Sequence, residues 1–202
     1  MLQVQADDAE AFEELTRRFQ NRLLKVMEHL VGNADQAQDL AQEVFMRVFR
    51  SRKSYIPGAK FSTWLFTIAN NVASNALRNR SRRKEINLSP TQNEENGVQS
   101  LETMAKDASG LMPTRQLEKQ EQANVVQEAM NTLNDRQRMA LLLCKFEHMS
   151  YQQIAETMDL SVQAIKSLLS RARNNLKLAL QPYFQSGHLP EPIRDSVDED
   201  GE

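Results

Sequence analysis

"MSYQQIAETMDLSVQAIKSLLSRARNNLK", residues 149–177, decides how the rest of the chain is read. Ser150 followed three residues later by Gln153 is a capping box, which opens a short helix running to about Met158. "MDLS" then turns the chain, and Ser161 can cap a final helix to about Leu180. On that helix Val162, Ile165, Leu169, Ala172 and Leu176 step by three and four residues, so they form one buried stripe. At about 100° per residue the far side carries Gln163, Ser167, Ser170 and Asn174, flanked by Lys166, Arg171 and Lys177. No acidic residue interrupts 160–184. Two short helices, a tight turn and a basic second helix make a helix-turn-helix signature, whose second helix suits a DNA major groove. Gln163, Lys166, Ser167 and Arg171, near its N-terminal end, are the candidate base-reading side chains, with Ser161 and Ser170 beside them. Arg173 lies nearer the buried edge and suits a phosphate. The bland alternative is a solvated basic helix on a bundle.

Working outward, the pattern stays helical. Residues 117–133 carry it through Val126, Ala129, Met130 and Leu133. Asn134 can cap a helix at about 135–147 whose inward residues are Met139, Leu142, Leu143 and Phe146. Toward the start, Phe12, Leu15, Phe19, Leu23, Val26 and Leu30 define a helix over 8–31. Asn33 with Gln36 opens a second, to about residue 52, with Ala37, Leu40, Ala41, Val44, Phe45 and Val48 inward. Pro57 and Gly58 break the chain, and Ser62 can cap a third helix to about residue 84. Residues 85–116 are polar, aperiodic and broken by Pro and Gly, and read as a linker. Residues 185–202 read as an acidic tail. The expected fold is all-α, with two small helical domains joined by a flexible linker and a helix-turn-helix in the second.

Bulk properties narrow the class. One cysteine in 202 residues, Cys144, points to a reducing compartment and reads as a small core residue. No apolar run reaches the roughly 20 residues of a membrane span, and the acidic start does not look like a signal peptide. A cytoplasmic protein without direct membrane insertion follows. His29, His148 and His188 are widely separated, and no phosphate-binding glycine loop or catalytic constellation is visible. The sequence therefore points to neither an enzyme nor a cofactor.

Charge is more informative by segment than in total. The net charge is −2, yet residues 47–84 carry 10 basic and no acidic side chains, and residues 136–184 carry 7 basic and 3 acidic. The blocks before, between and after them are acidic. Two positive surfaces on one chain suit two contacts with a polyanion. In the first block, "FSTWLFTIANNVASNALRNRSRRK" (61–84) places Trp64, Leu65, Ile68, Ala69, Val72 and Ala76 on one face, as core. Phe66, Thr67, Asn70, Ser74, Leu77 and Arg78 fall on the other, with Asn71 at the boundary. An exposed ring among amides suits unstacked bases, and the arginines beyond it suit the phosphate backbone.

These pieces, in this order, resemble the extracytoplasmic-function group of bacterial sigma-70 factors, over about residues 7–182. "NADQAQDLAQEVFMRVFR" (33–50) resembles the polymerase-binding helix of region 2. Residues 61–84 resemble the segment that recognises and melts the minus-ten element, and 133–177 resemble region 4, which reads the minus-thirty-five element. The resemblance implies region 2 over 1–88, a linker over 89–116, region 4 over 117–184 and a tail over 185–202. It implies polymerase binding by Asp39, Gln42, Glu43, Phe45 and Arg47, although Phe45 also fits a core position. It implies minus-ten contacts by Lys60, Trp64, Phe66, Thr67, Asn70, Asn71, Ser74, Arg78, Arg80, Arg82 and Arg83, with Phe66 and Asn71 holding a flipped base. Trp64 fits core as well as a base edge. Asn75 stands where many members carry Asp, which bears on minus-ten preference.

The partners so implied are core RNA polymerase, promoter DNA and an anti-sigma factor, and the function is initiation at a stress or envelope-signal regulon. An operator-binding regulator would account for 135–180 but leave 33–84 unexplained. An interaction module docking acidic partners is the third reading.

Overall fold

The computed structural model describes residues 1–58, 60–86 and 113–185. The linker expected over 89–116 lies outside them as far as residue 112, and the tail does so from residue 186. The described chain is helical, without a strand. Its helices are α1 (Leu2–Gln5), α2 (Ala9–Val31), α3 (Ala34–Arg50), α4 (Phe61–Ile86), α5 (Pro113–Asn131), α6 (Asp135–Lys145), α7 (Tyr151–Met158) and α8 (Val162–Gln185), with a 3-10 turn at Arg52–Ser54.

Local chemistry sets most of the boundaries. Asp8 caps α2 by accepting from the Ala11 amide at 3.0 Å. Gly32, at φ 71°, ends α2 in the left-handed conformation that glycine adopts without strain. Asn33 accepts from the Gln36 amide at 2.8 Å and starts α3. Asn134 with Gln137 and Ser150 with Gln153 form complete capping boxes on α6 and α7. Ser161 caps α8, accepting from the Ala164 amide at 3.2 Å. The start of α4 differs from expectation. It begins at Phe61, with the Thr63 and Trp64 amides donating to the Lys60 carbonyl, so Ser62 sits inside the first turn. The Phe61 ring packs edge-on against Phe19, 5.0 Å between centroids, which draws this turn onto α2.

The helices α2, α3 and α4 pack on one another, and α6, α7 and α8 do the same. The expected inward residues of α3 are all buried. So are Ile165, Leu169 and Ala172 on α8, with Leu142 and Leu143 opposite on α6. Truncating any one of these leucines to Ala would cost about 2–5 kcal/mol. Phe146 departs from the sequence reading. It lies just past the end of α6, is 47% exposed, and rests its ring 5.2 Å from that of His29 on α2.

That contact belongs to a larger one. The two helical groups are not separate cores: α4 packs on α7, and α2 and α4 meet α6, so the buried residues of both groups form one continuous cluster. Arg138 sits at the junction. Its guanidinium donates to the carbonyls of Met130 and Leu133 at 3.0 and 3.1 Å, and to Leu30 of α2 at 3.0 Å. These acceptors lie at or beyond helix C-terminal ends, where carbonyls lack helical partners. Among the described residues no helix is long and apolar enough to cross a membrane.

Candidate nucleic-acid interface

The basic side of α8 is open. Gln163, Lys166, Ser170, Arg171 and Arg173 are exposed and Ser167 is half-buried. Ser161 is exposed, but its hydroxyl is engaged as the cap. Arg171 bends back toward its own helix, donating to the Ser167 carbonyl at 3.4 Å. Arg173 reaches the Tyr151 hydroxyl of α7 at 3.3 Å, which ties the two helices of the motif together. A cleft runs between α8 and the start of α6, lined by Ser161, Gln163, Ser167 and Arg171 on one side and by Asn134 and Arg136 on the other. Sequence reasoning missed Arg136. It directly follows the α6 cap, and only the packing of α6 on α8 brings its charge to the base-reading residues.

The helix α4 is divided differently from expectation. Asn71, Ser74, Asn75, Arg78 and Arg82 are exposed, as is Lys60 ahead of the helix. Asn70 and Thr67 are half-buried, the Thr67 hydroxyl donating to the Thr63 carbonyl at 2.8 Å. Arg80 is exposed along its stem, but its guanidinium donates to the Val31 carbonyl at the end of α2 at 3.1 Å. The side chain of Arg83 lies outside the described residues. Trp64 is half-buried in an aromatic group with Tyr55 and Phe61, at 5.2 and 6.0 Å. Phe66 is the correction. Periodicity puts it on the open face, yet it is completely buried. The physical cause is tertiary: the side of α4 turned away from α2 and α3 is covered by α7 and α6.

On α3, Asp39, Gln42 and Glu43 are exposed, and Arg47 donates to Glu43 one turn back at 3.0 and 2.5 Å. Phe45 is buried, so in this arrangement it packs the core and is not presented to a partner. Met46 and Phe49 are the apolar side chains this helix does expose, with the Arg52 guanidinium 4.1 Å from the Phe49 ring centre. A shallow cleft joins Glu43, Arg47 and Arg50 to Asn71 of α4, so the α3 surface and the amide face of α4 are contiguous.

Two family descriptions match this chain: Sigma-70 region 2 over residues 15–83, and Sigma-70, region 4 over residues 123–176. The RNA polymerase sigma-H factor of Pseudomonas aeruginosa is 33% identical over 184 residues, covering 90% of this chain and 92% of that protein. The ECF RNA polymerase sigma-E factor of Escherichia coli K12 is 30% identical over 185 residues, covering 90% and 93%. The chain belongs to the extracytoplasmic-function group of the sigma-70 family. As a sigma factor it directs transcription initiation, and its relatives are transcription regulators rather than enzymes. Two solved structures share the sigma-factor fold. They are the sigma factor RpoE with the anti-sigma factor NepR from Bartonella quintana (24% identity, TM-score 0.64, 86% of this chain and 98% of that one), and CnrH with the cytosolic domain of CnrY (19%, 0.62, 90% and 94%). In this sigma factor α2, α3 and most of α4 fall within the region 2 match, and α6, α7 and the first half of α8 fall within region 4.

Proposed function

We propose that the two basic helices divide promoter reading between them. The exposed strip of α4 takes the minus-ten element, and α8 takes the minus-thirty-five element. The observation that carries this is the pair of helix faces, each with amide and hydroxyl groups among arginines or lysines and no acid between them. On α8, Gln163, Lys166, Ser167 and Arg171 face base edges, while Arg136 and Arg173 hold phosphates. On α4, Asn71, Ser74, Arg78 and Arg82 are open to single-stranded DNA, and Phe66 would join them only when its cover is removed. Asp39, Gln42, Glu43 and Arg47 dock on core RNA polymerase, with Met46 and Phe49 supplying apolar area.

Duplex opening here is a binding process without a covalent step. Capturing unstacked bases offsets an unstacking cost of a few kcal/mol per step. The functional division falls at 1–88 and 117–184, the protein works in the cytoplasm, and an anti-sigma factor restrains it, as in the complex of RpoE with NepR. The test is tethered cleavage. An iron chelate is attached at Asn75→Cys on α4 or at Asn174→Cys on α8, in complexes with core polymerase and promoter DNA. The expected result is two separate windows of strand cleavage, the α8 window upstream. Overlapping windows, or cleavage without a preferred position, would remove the assignment.

A further inference from the structure

The cover over Phe66 has a definite construction. Leu65, Ile68, Ala69, Val72 and Ala76 face α2 and α3, as the periodicity requires. At about 100° per residue, Thr63, Phe66, Asn70, Ala73, Ser74 and Leu77 form a second strip well away from them. A three-helix unit standing alone would leave that strip in water. Here Phe66 is 0%, Ala73 1% and Thr63 4% exposed. An enclosed crevice has Asn70, Ala73, Ser74 and Leu77 on one wall and Asp135, Arg136 and Met139 on the other. The covering elements are α6 and α7, which belong to region 4.

Polar contacts surround this apolar seal. Arg22 of α2 pairs with Glu147, which lies between α6 and α7 and whose side chain is 1% exposed. Arg138 donates to the Leu30 carbonyl across the same boundary. His29 shares a hydrogen bond of 2.8 Å with Gln127 of α5 and stacks near Phe146. A buried carboxylate deprived of its only printed cationic partner is costly, so the Arg22–Glu147 pair makes separation of the two halves sensitive to a single charge.

We propose that region 4 is an intramolecular cover on the base-holding strip of region 2, latched by Arg22–Glu147 and Arg138–Leu30, and that the cover must lift before the minus-ten strand can be held. This rests on the reading of α4 as the minus-ten face. In the closed form Phe66 cannot reach a base, and Asn70 opens only onto the crevice. The free chain is therefore self-restrained. Promoter opening requires a second arrangement of the same two halves, with α4 and α7 apart.

The test uses the full chain carrying Thr63→Cys, because Thr63 is buried under the cover and its hydroxyl has no hydrogen-bond partner. Alkylation of the introduced thiol by iodoacetamide is followed by peptide mass spectrometry, which separates it from Cys144. The expected result is slow labelling in the closed chain, at least about tenfold faster when Arg22→Glu is added, with helix content unchanged. Arg22→Ala, which removes the partner without reversing its charge, gives the same direction and serves if the reversal does not fold. Labelling at the rate of an exposed thiol in the closed chain, or a rate unmoved by both variants, overturns the cover. A second arm measures open-complex formation with core polymerase at limiting sigma factor. Arg22→Glu should accelerate it, and faster labelling without faster opening overturns the restraint. The labelling arm needs neither polymerase nor DNA. A failure of the minus-ten assignment would show separately, as opening that is indifferent to Asn71→Ala.

Discussion

Arg22 and Glu147 form an ion pair across 125 residues of sequence, the arginine about half exposed and the carboxylate sealed. The pair joins the polymerase-binding half of the chain to the helix-turn-helix half. Burial pushes the Glu147 carboxyl above its ordinary range, while Arg22 and then His148 pull it back. A carboxyl raised in the folded chain contributes stability that is full below its unfolded value and is lost as pH rises through the folded one. The parent should therefore lose stability relative to Glu147→Gln as pH rises from about 4 to 7, followed by paired thermal melts. Arg22→Ala at pH 7 should cost on the order of 2 kcal/mol, less than the 3–5 of a fully buried pair, because Arg22 is half in water. A parent-minus-Gln difference that grows with pH would show that the ion pair outweighs the burial.

Arg138 serves the carbonyls of Leu30, Met130 and Leu133 from one guanidinium. Arg138→Met should cost about 3 kcal/mol or more in urea unfolding, since each orphaned buried carbonyl carries about 1–3 kcal/mol. Arg138→Lys should recover less than half of that, because a point charge cannot reproduce the planar fork.

Phe66 and Asn71 separate packing from reading. Phe66→Ala empties a fully buried site and should cost about 3–5 kcal/mol. Asn71→Ala is exposed and should leave stability within about 0.5 kcal/mol. Both should impair promoter opening. An opening defect in Asn71→Ala at unchanged melting temperature assigns a role in reading, because a packing role would move both.

Much of this was legible in the sequence because it is local. Ser150 and Gln153 lie three residues apart and settle the start of α7 between themselves. The stripe Val162, Ile165, Leu169 needs only helical periodicity. The failures share one cause. Phe66 and Phe146 were placed by helix phase alone, but their burial is decided by elements from the other half of the chain. The same holds for Arg138, whose partners are backbone carbonyls that no side-chain pattern encodes, and for Arg136, which joins the DNA cleft through packing. Phe45, which fitted both the core and a partner surface, is resolved by its burial.

On the DNA side, Arg136→Ala and Lys166→Ala should each reduce the salt slope of promoter binding by about 1, weakening all sequences alike, as loss of a phosphate contact does. Gln163→Ala should instead relax preference at one upstream base pair, by about 1–3 kcal/mol of discrimination. Binding of the polymerase complex to a set of single-substitution promoters, repeated at two salt concentrations, distinguishes these outcomes.

The most direct measurement is reconstituted transcription with purified protein, core RNA polymerase and a library of promoter-length DNA, followed by sequencing of the initiated transcripts. The account predicts transcripts that require the protein and start at a fixed distance from two shared upstream elements. The downstream element should be lost as a requirement only in α4 variants, and the upstream one only in α8 variants. Protein-dependent transcripts that share a single element, or an element whose requirement is indifferent to both helices, would contradict it.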